Sequence, residues 1–197
     1  MSNRRGFEVV ALAPDVLRLR VAERRSLTRP ERAGSETGAP DSSAVAHQLQ
    51  RTDHRLTLTT IAGKFSVNLR TGAWTLHDAG GLEVFCCTLL DFAASSPQFT
   101  LRLADGESIF GLGESTGPLN KRGLIREFWN TDVLGHASCI HPSLRNLYVS
   151  IPFALSLREG RAGGLFWDNP ARQTWDIGCT EPDEFRLRAS SRAGDLQ

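Results

Sequence analysis

Glu114 and Asp132 are the first residues to weigh as chemistry, because two carboxyl groups near one glycine-rich and aromatic stretch suggest an acid/base pair. A structural reading competes at both positions. Glu114 follows a Gly-rich strand and is expected to form a salt bridge with Arg122 or Arg126, while Asp132 can satisfy backbone donors at a strand end. His136, Cys139 and His141 form an H-x2-C-x-H cluster of zinc-binding types, but a closed site needs a fourth ligand. Cys179 or Asp132 supplies one only if the loop folds that way, so a plain loop is expected and no metal. Gly111-Leu112-Gly113 is too short for a dinucleotide fingerprint and has no following helix, so its glycines read as sites of close backbone approach in a sheet, and no cofactor is expected. Cys86-Cys87 reads as buried sheet, and His54 and His77 have no nucleophile beside them in sequence. Phe128 and Trp129 offer aromatic faces that suit a pyranose ring, yet both flank a strand and are expected in the core, Phe128 the more so.

The elements that must position these residues are strands. Leu17, Leu19 and Val21 alternate with arginines, Leu56 and Leu58 with threonines, and Phe65, Val67 and Leu69 with polar residues. Thr71-Gly72, Asp78 to Gly81 and Asp105-Gly106 are turn signals that join further strands over 73–76, 82–85 and 108–112. Segments 148–157, 164–168, 174–178 and 185–188 read the same way, and no amphipathic helix is evident. The expected fold class is therefore all-β, an antiparallel β-sandwich with little helix, in one domain over residues 1–197. Two stretches interrupt it: residues 24–43 have the composition of a mobile surface loop, and 115–145 read as a long loop of functional interest.

With 40% hydrophobic and 23% charged residues the chain can bury a core, and 23 Lys+Arg against 22 Asp+Glu leave no field to gather nucleic acid or an anionic membrane. Four cysteines, two of them adjacent, suggest no disulfide framework, and no apolar run reaches membrane-spanning length, so a cytoplasmic setting is expected.

Specific resemblance begins at residue 109. Phe110-Gly111-Leu112-Gly113-Glu114, then Gly117 to Gly123 (GPLNKRG), then Trp129-Asn130-Thr131-Asp132, in that order and spacing, closely resemble the amino-terminal domain of family 31 glycoside hydrolases. Ser150-Ile151-Pro152-Phe153 and Gly164-Leu165-Phe166-Trp167-Asp168-Asn169 resemble that family's next strands, and Phe65 to Phe85 its early hairpins. The resemblance implies a galactose-mutarotase-like supersandwich packed on a (β/α)8 barrel, in a retaining exo-glycosidase acting on α-linked glucosides or oligosaccharides.

Retention requires two carboxyl groups roughly 5 Å apart. In this family both lie on the barrel, and neither a barrel nor its nucleophile motif is present before Gln197. The chain is thus expected to be a noncatalytic piece of such an enzyme, inactive alone, with an exposed apolar surface where the barrel docks and a tendency to self-associate through it. The family places a sugar-binding aspartate on a loop of this domain. That role carries to Asp132, with Asn130, Thr131 and Trp129 as its substrate-binding neighbours. Two alternatives remain: a free-standing carbohydrate-binding or aldose-mutarotase-like protein, and a purely structural interaction module.

Overall fold

Small polar side chains and turn glycines between short apolar alternations dictate hairpins, and hairpins account for most of the described strands. The computed structural model describes residues 5–23, 45–91, 96–130 and 147–190, which fall into two compact units, Met1–Cys86 and Cys87–Gln197. The loop expected over residues 24–43 lies outside the described residues. Among those described there is no helix, and each strand pair whose register is resolved is antiparallel.

The first unit opens with a hairpin of β1 (Arg5–Ala13) and β2 (Val16–Glu23), with an irregular register between Ala11 and Ala13. It continues as a meander of β3 (Gln48–Arg51), β4 (Arg55–Thr59), β5 (Gly63–Asn68) and β6 (Trp74–Asp78), into which the start of β7 (Glu83–Asp91) follows. The turns are built by side chains. Asn68 Oδ1 accepts the amides of Arg70 and Thr71, and Asp78 Oδ1 accepts that of Leu82, so each short polar side chain satisfies donors the ladder cannot reach. Leu58, Phe65 and Val67 are at most 5% exposed and give this unit its apolar face.

The second unit takes the rest of β7 and adds β8 (Gln98–Arg102), β9 (Ser108–Gly113), β10 (Leu124–Phe128), β11 (Ser150–Arg158), β12 (Arg161–Phe166), β13 (Gln173–Ile177) and β14 (Glu184–Ala189). One sheet runs in the order β10-β13-β14-β8-β7 and the other β12-β11-β9. Side chains from both sheets form the core: Trp175, Phe185, Leu187 and Leu101 from the larger, Ile109 and Ala154 from the smaller, all 2% exposed or less. Each large apolar side chain so buried contributes about 1.5–3 kcal/mol before the entropy of ordering it is subtracted. The Phe99 and Trp167 rings meet edge to face at 4.8 Å, joining β8 to the residue that follows β12. The fold is an all-β antiparallel sandwich.

One expectation is corrected here. Residues 115–145 are not one long loop, because Leu124–Phe128 form β10, the edge strand beside β13. Its inward positions are Leu124, Arg126 and Phe128, and a buried arginine in the middle breaks the apolar alternation by which strands are found.

Candidate functional site

The residues between β9 and β10 bind mainly to their own protein. Asn120 Oδ1 accepts the amides of Ile109 and Arg122 at 3.0 and 3.1 Å, and its Nδ2 donates to Ser108 Oγ at 3.2 Å. Lys121 donates its amide to the Ile109 carbonyl. Arg122 spreads its guanidinium over three carbonyls, those of Ala104 at 2.6 Å, Glu107 at 3.0 Å and Pro182 at 3.0 Å. The Asn120-Lys121-Arg122 run thus fastens one connection to the start of β9, to the turn before it and to the turn before β14. Burial, then the neighbouring Arg126 charge, holds the Lys121 pKa below its ordinary value.

Glu114 is structural, but not as an ion pair with Arg122 or Arg126: its carboxylate accepts the Tyr148 amide at 3.2 Å, and its own amide donates to the Val149 carbonyl at 2.9 Å. Glu107 is a buried carboxylate with no motif around it. It is 6% exposed, accepting the Ser156 hydroxyl at 2.5 Å and the Ala104 amide at 2.8 Å, and it pins β11 to the turn before β9. A lone Glu after Asp105-Gly106 carries no signal of this, since its partner is set by sheet register.

Gly111 and Gly113 behave as expected. A Cβ on Gly111 would sit 2.7 Å from the Phe153 carbonyl oxygen, and one on Gly113 would sit 2.6 Å from the Ile151 amide nitrogen. Between them Leu112 also has a left-handed φ of 72°, unusual for a branched side chain. The pairing is irregular here, where β11 carries two extra residues between the pairs Ser150↔Gly113 and Ala154↔Gly111.

Past Phe128 the chain leaves the core. Phe128 is 6% exposed, as expected, and packs on Trp175 with centroids 4.6 Å apart. Trp129 is 53% exposed, which overturns its assignment to the core: alternation along β10 turns 128 inward and so must turn 129 outward. The guanidinium carbon of Arg172 lies 5.5 Å from the centroid of the Trp129 ring. Glu127, on the same side of the strand, accepts Nε and Nη2 of Arg172 at 2.6 Å. That hydrogen bond, followed by the carboxylate's charge, raises the Arg172 pKa further above its high ordinary value, against a small opposing effect of burial. Asn130 Oδ1 accepts the Ser150 amide at 2.9 Å, which ties the end of β10 to the first residue of β11. The structure therefore brings Trp129 and Asn130 to one rim with Glu127 and Arg172. Thr131 and Asp132 lie outside the described residues, as do His136, Cys139 and His141. Among the described residues no cluster of metal-ligating side chains occurs, and Cys179 is an exposed thiol.

The smaller sheet presents a second feature. β11 turns Ala154 and Ser156 inward and Ile151, Phe153, Leu155 and Leu157 outward, the last four between 36% and 46% exposed. In register beside them on β12 stand Phe166, Gly164 and Ala162, and Phe110 of β9 is opposite Leu155. Phe166 is 57% exposed, so the outer face of this sheet is apolar and uncovered.

Comparison with known proteins agrees with this geometry. The family model for the glycosyl hydrolase 31 N-terminal galactose mutarotase-like domain matches residues 6–176. Alpha-glucosidase 2 of Bacillus thermoamyloliquefaciens is 37% identical over 91 residues, which is 46% of this chain but 11% of that protein. Alpha-glucosidase of Saccharolobus solfataricus is 32% identical over 78 residues, 40% of this chain and again 11% of the relative. The chain thus corresponds to a small part of the curated relatives it matches. Among solved structures, a GH31 dextranase of Flavobacterium johnsoniae complexed with glucose superposes with a TM-score of 0.77 at 20% identity, over 96% of this chain and 23% of the other. The cycloalternan-forming enzyme of Listeria monocytogenes does so with a TM-score of 0.71 at 17% identity, over 97% of this chain and 17% of the other. At such identities the superpositions speak to fold, and the sequence matches speak to descent: this chain belongs to the N-terminal galactose mutarotase-like domain family of the family 31 glycosyl hydrolases.

Proposed function

We propose that the chain serves as the noncatalytic amino-terminal domain of a retaining, α-glucosidase-like glycoside hydrolase, packing against a catalytic (β/α)8 barrel and lending residues to carbohydrate binding. The observation that carries this reading is the inverted strand β11, whose large apolar side chains Phe153, Leu155 and Leu157 face out while Ala154 and Ser156 face in. A strand that ends its folding with leucine and phenylalanine toward solvent retains a driving force of about 25 cal/mol per Å² for acquiring a cover. A barrel from the same polypeptide is the cover that suits a domain of this family. Separated from it, the same face favours self-association.

The carbohydrate contribution is assigned to Asp132, Thr131, Asn130 and Trp129. An ionised aspartate accepts two hydroxyl donors, and an exposed indole suits the apolar face of a pyranose. Such contacts orient the sugar for carboxylates held elsewhere, which affects rate through alignment. The substrate proposed for the whole enzyme is an α-linked glucoside or oligosaccharide, and a reducing, cytoplasmic setting is proposed because Cys86, Cys87 and Cys179 form no disulfide.

The test is an assay of the purified chain. It is expected to release no glucose from maltose and to leave the mutarotation of α-glucose at the rate of the buffer, as followed by polarimetry. Mutarotation well above that rate overturns the noncatalytic reading in favour of an aldose-mutarotase-like protein.

A further inference from the structure

Trp129, Arg172 and Glu127 form one constructed surface rather than three separate side chains. Phe128 pairs with Gln173 and Glu127 with Thr174, so continuing the antiparallel register by one step sets Trp129 across from Arg172. Arg172 is drawn over the indole, 5.5 Å from its centroid, while two of its nitrogens contact Glu127 Oε1 at 2.6 Å. An exposed arginine has several rotamers, and holding two of its nitrogens on a single oxygen of Glu127, two residues from the tryptophan, favours the one lying over the ring. Trp129 is 53% exposed, just past the end of its sheet's edge strand and next to Asn130.

A rigid aromatic face flanked by a planar guanidinium and a carboxylate has the chemistry of a sugar site. The ring takes the apolar C–H face of a pyranose, and the polar pair takes adjacent hydroxyls at its rim. We propose that Arg172, held by Glu127, is a positioning residue that sets Trp129 as a platform for a glucose unit of an α-glucan. This deepens the carbohydrate-binding reading above and rests on it. It adds two residues from outside the W-N-T-D stretch, one of them contributed by a different strand end.

The experiment follows the indole N–H resonances of the 197-residue chain in ¹H–¹⁵N spectra while maltotriose is added, with sorbitol as the control polyol. Trp129→Phe identifies the Trp129 resonance. In the wild-type chain that resonance is expected to shift saturably with maltotriose and not with sorbitol. Arg172→Met is expected to weaken the apparent affinity about threefold or more with the melting temperature unchanged, and Arg172→Lys, which keeps a cation for the ring, to restore part of it. Glu127→Gln is expected to act in the same direction as Arg172→Met.

A Trp129 resonance that shifts in Arg172→Met with the wild-type affinity overturns the role of Arg172 and leaves carbohydrate binding standing. A wild-type resonance that does not respond, or responds equally to sorbitol, overturns both. Loss of affinity only in step with a lower melting temperature marks Arg172 as a structural residue and also overturns the proposal.

Discussion

Strands β11 and β13 belong to the same unit and are built by opposite rules. β13 places Gln173, Trp175 and Ile177 inward, all at most 1% exposed, and Thr174 and Asp176 outward. β11 places Ala154 and Ser156 inward and Phe153, Leu155 and Leu157 outward. Both alternate with period two, so periodicity identifies each as a strand but does not say which face is the core. On β13 the interior polar groups are answered in place: Trp175 Nε1 donates to Gln173 Oε1 at 2.9 Å, and Gln173 Nε2 donates to the Asn169 carbonyl at 2.6 Å. On β11 the interior is kept small, a buried Ser156–Glu107 hydrogen bond holds it, and the hydrophobic area is directed away from this domain's own core. The difference teaches that β13 spends its apolar side chains on the domain's own core while β11 leaves them on the outside, where the proposed barrel would cover them.

Substitutions break the comparison most sharply when they remove what β13 buries. Trp175→Ala is expected to lower the unfolding free energy by about 3–5 kcal/mol in urea titration, since Phe128 and Phe185 both pack on that indole. Leu155→Ser, a loss of apolar area on the outward face of β11, is expected to change it by less than about 0.5 kcal/mol while reducing self-association in light scattering. Equal losses at the two positions erase the distinction between the strands. Next in size is Glu107→Ala, which leaves the Ser156 hydroxyl and the Ala104 amide without their buried acceptor and is expected to cost about 1–3 kcal/mol.

Smaller effects come from two ionisable groups of the same unit whose pKa values are both lowered, but whose charged forms act on stability with opposite sign. At Asp176 burial pushes the carboxyl up, but hydrogen bonds from Thr180 Oγ1, the Thr180 amide and the Cys179 amide, together with the Arg186 charge, bring its pKa below the usual value. A carboxyl lowered on folding contributes stability above its unfolded pKa, near 3.8, and loses it as pH falls through the lower folded value. Asp176→Asn is therefore expected to cost about 0.5–1.5 kcal/mol at pH 7, allowing for solvent screening, with the gap to wild type closing below pH 3.8. Lys121 is the reverse case, because a lysine whose pKa is lowered on folding destabilises the protein while protonated, and that cost is relieved as pH rises from the folded value towards 10.5. Lys121→Met is expected to stabilise modestly at pH 7 and to flatten the rise at alkaline pH, read from thermal melts across pH.

Much of the sandwich is legible from the residues alone. Strands with clean alternation, such as β4 with Leu56 and Leu58 and β5 with Phe65 and Val67, stand out, as do the turns at Thr71-Gly72 and Asp78, whereas the side-chain capping of the first by Asn68 shows only in the structure. β3, exposed at all four positions, carries no such signal, and β10 conceals its own with Arg126 on the inward face. At the rim, the resemblance points to Trp129 and Asn130, but the outward turn of Trp129 depends on the parity of β10. Its pairing with Arg172 depends on the register of β10 against β13, which spacing within either strand does not encode. The GPLNKRG stretch shows the converse: Asn120 and Arg122 spend most of their polar groups on neighbouring backbone, so a segment that marks the family serves mainly to hold the fold.

The central claim is that the outward face of β11 and β12 is made to be covered by a catalytic barrel. Hydroxyl-radical footprinting of Phe153, Leu155, Leu157 and Phe166 tests it most directly, comparing this chain alone with the same chain joined to a family 31 barrel in one polypeptide. The account predicts strong oxidation of these four side chains in the isolated domain and near-complete protection in the joined protein. Equal oxidation of the four in both would contradict it.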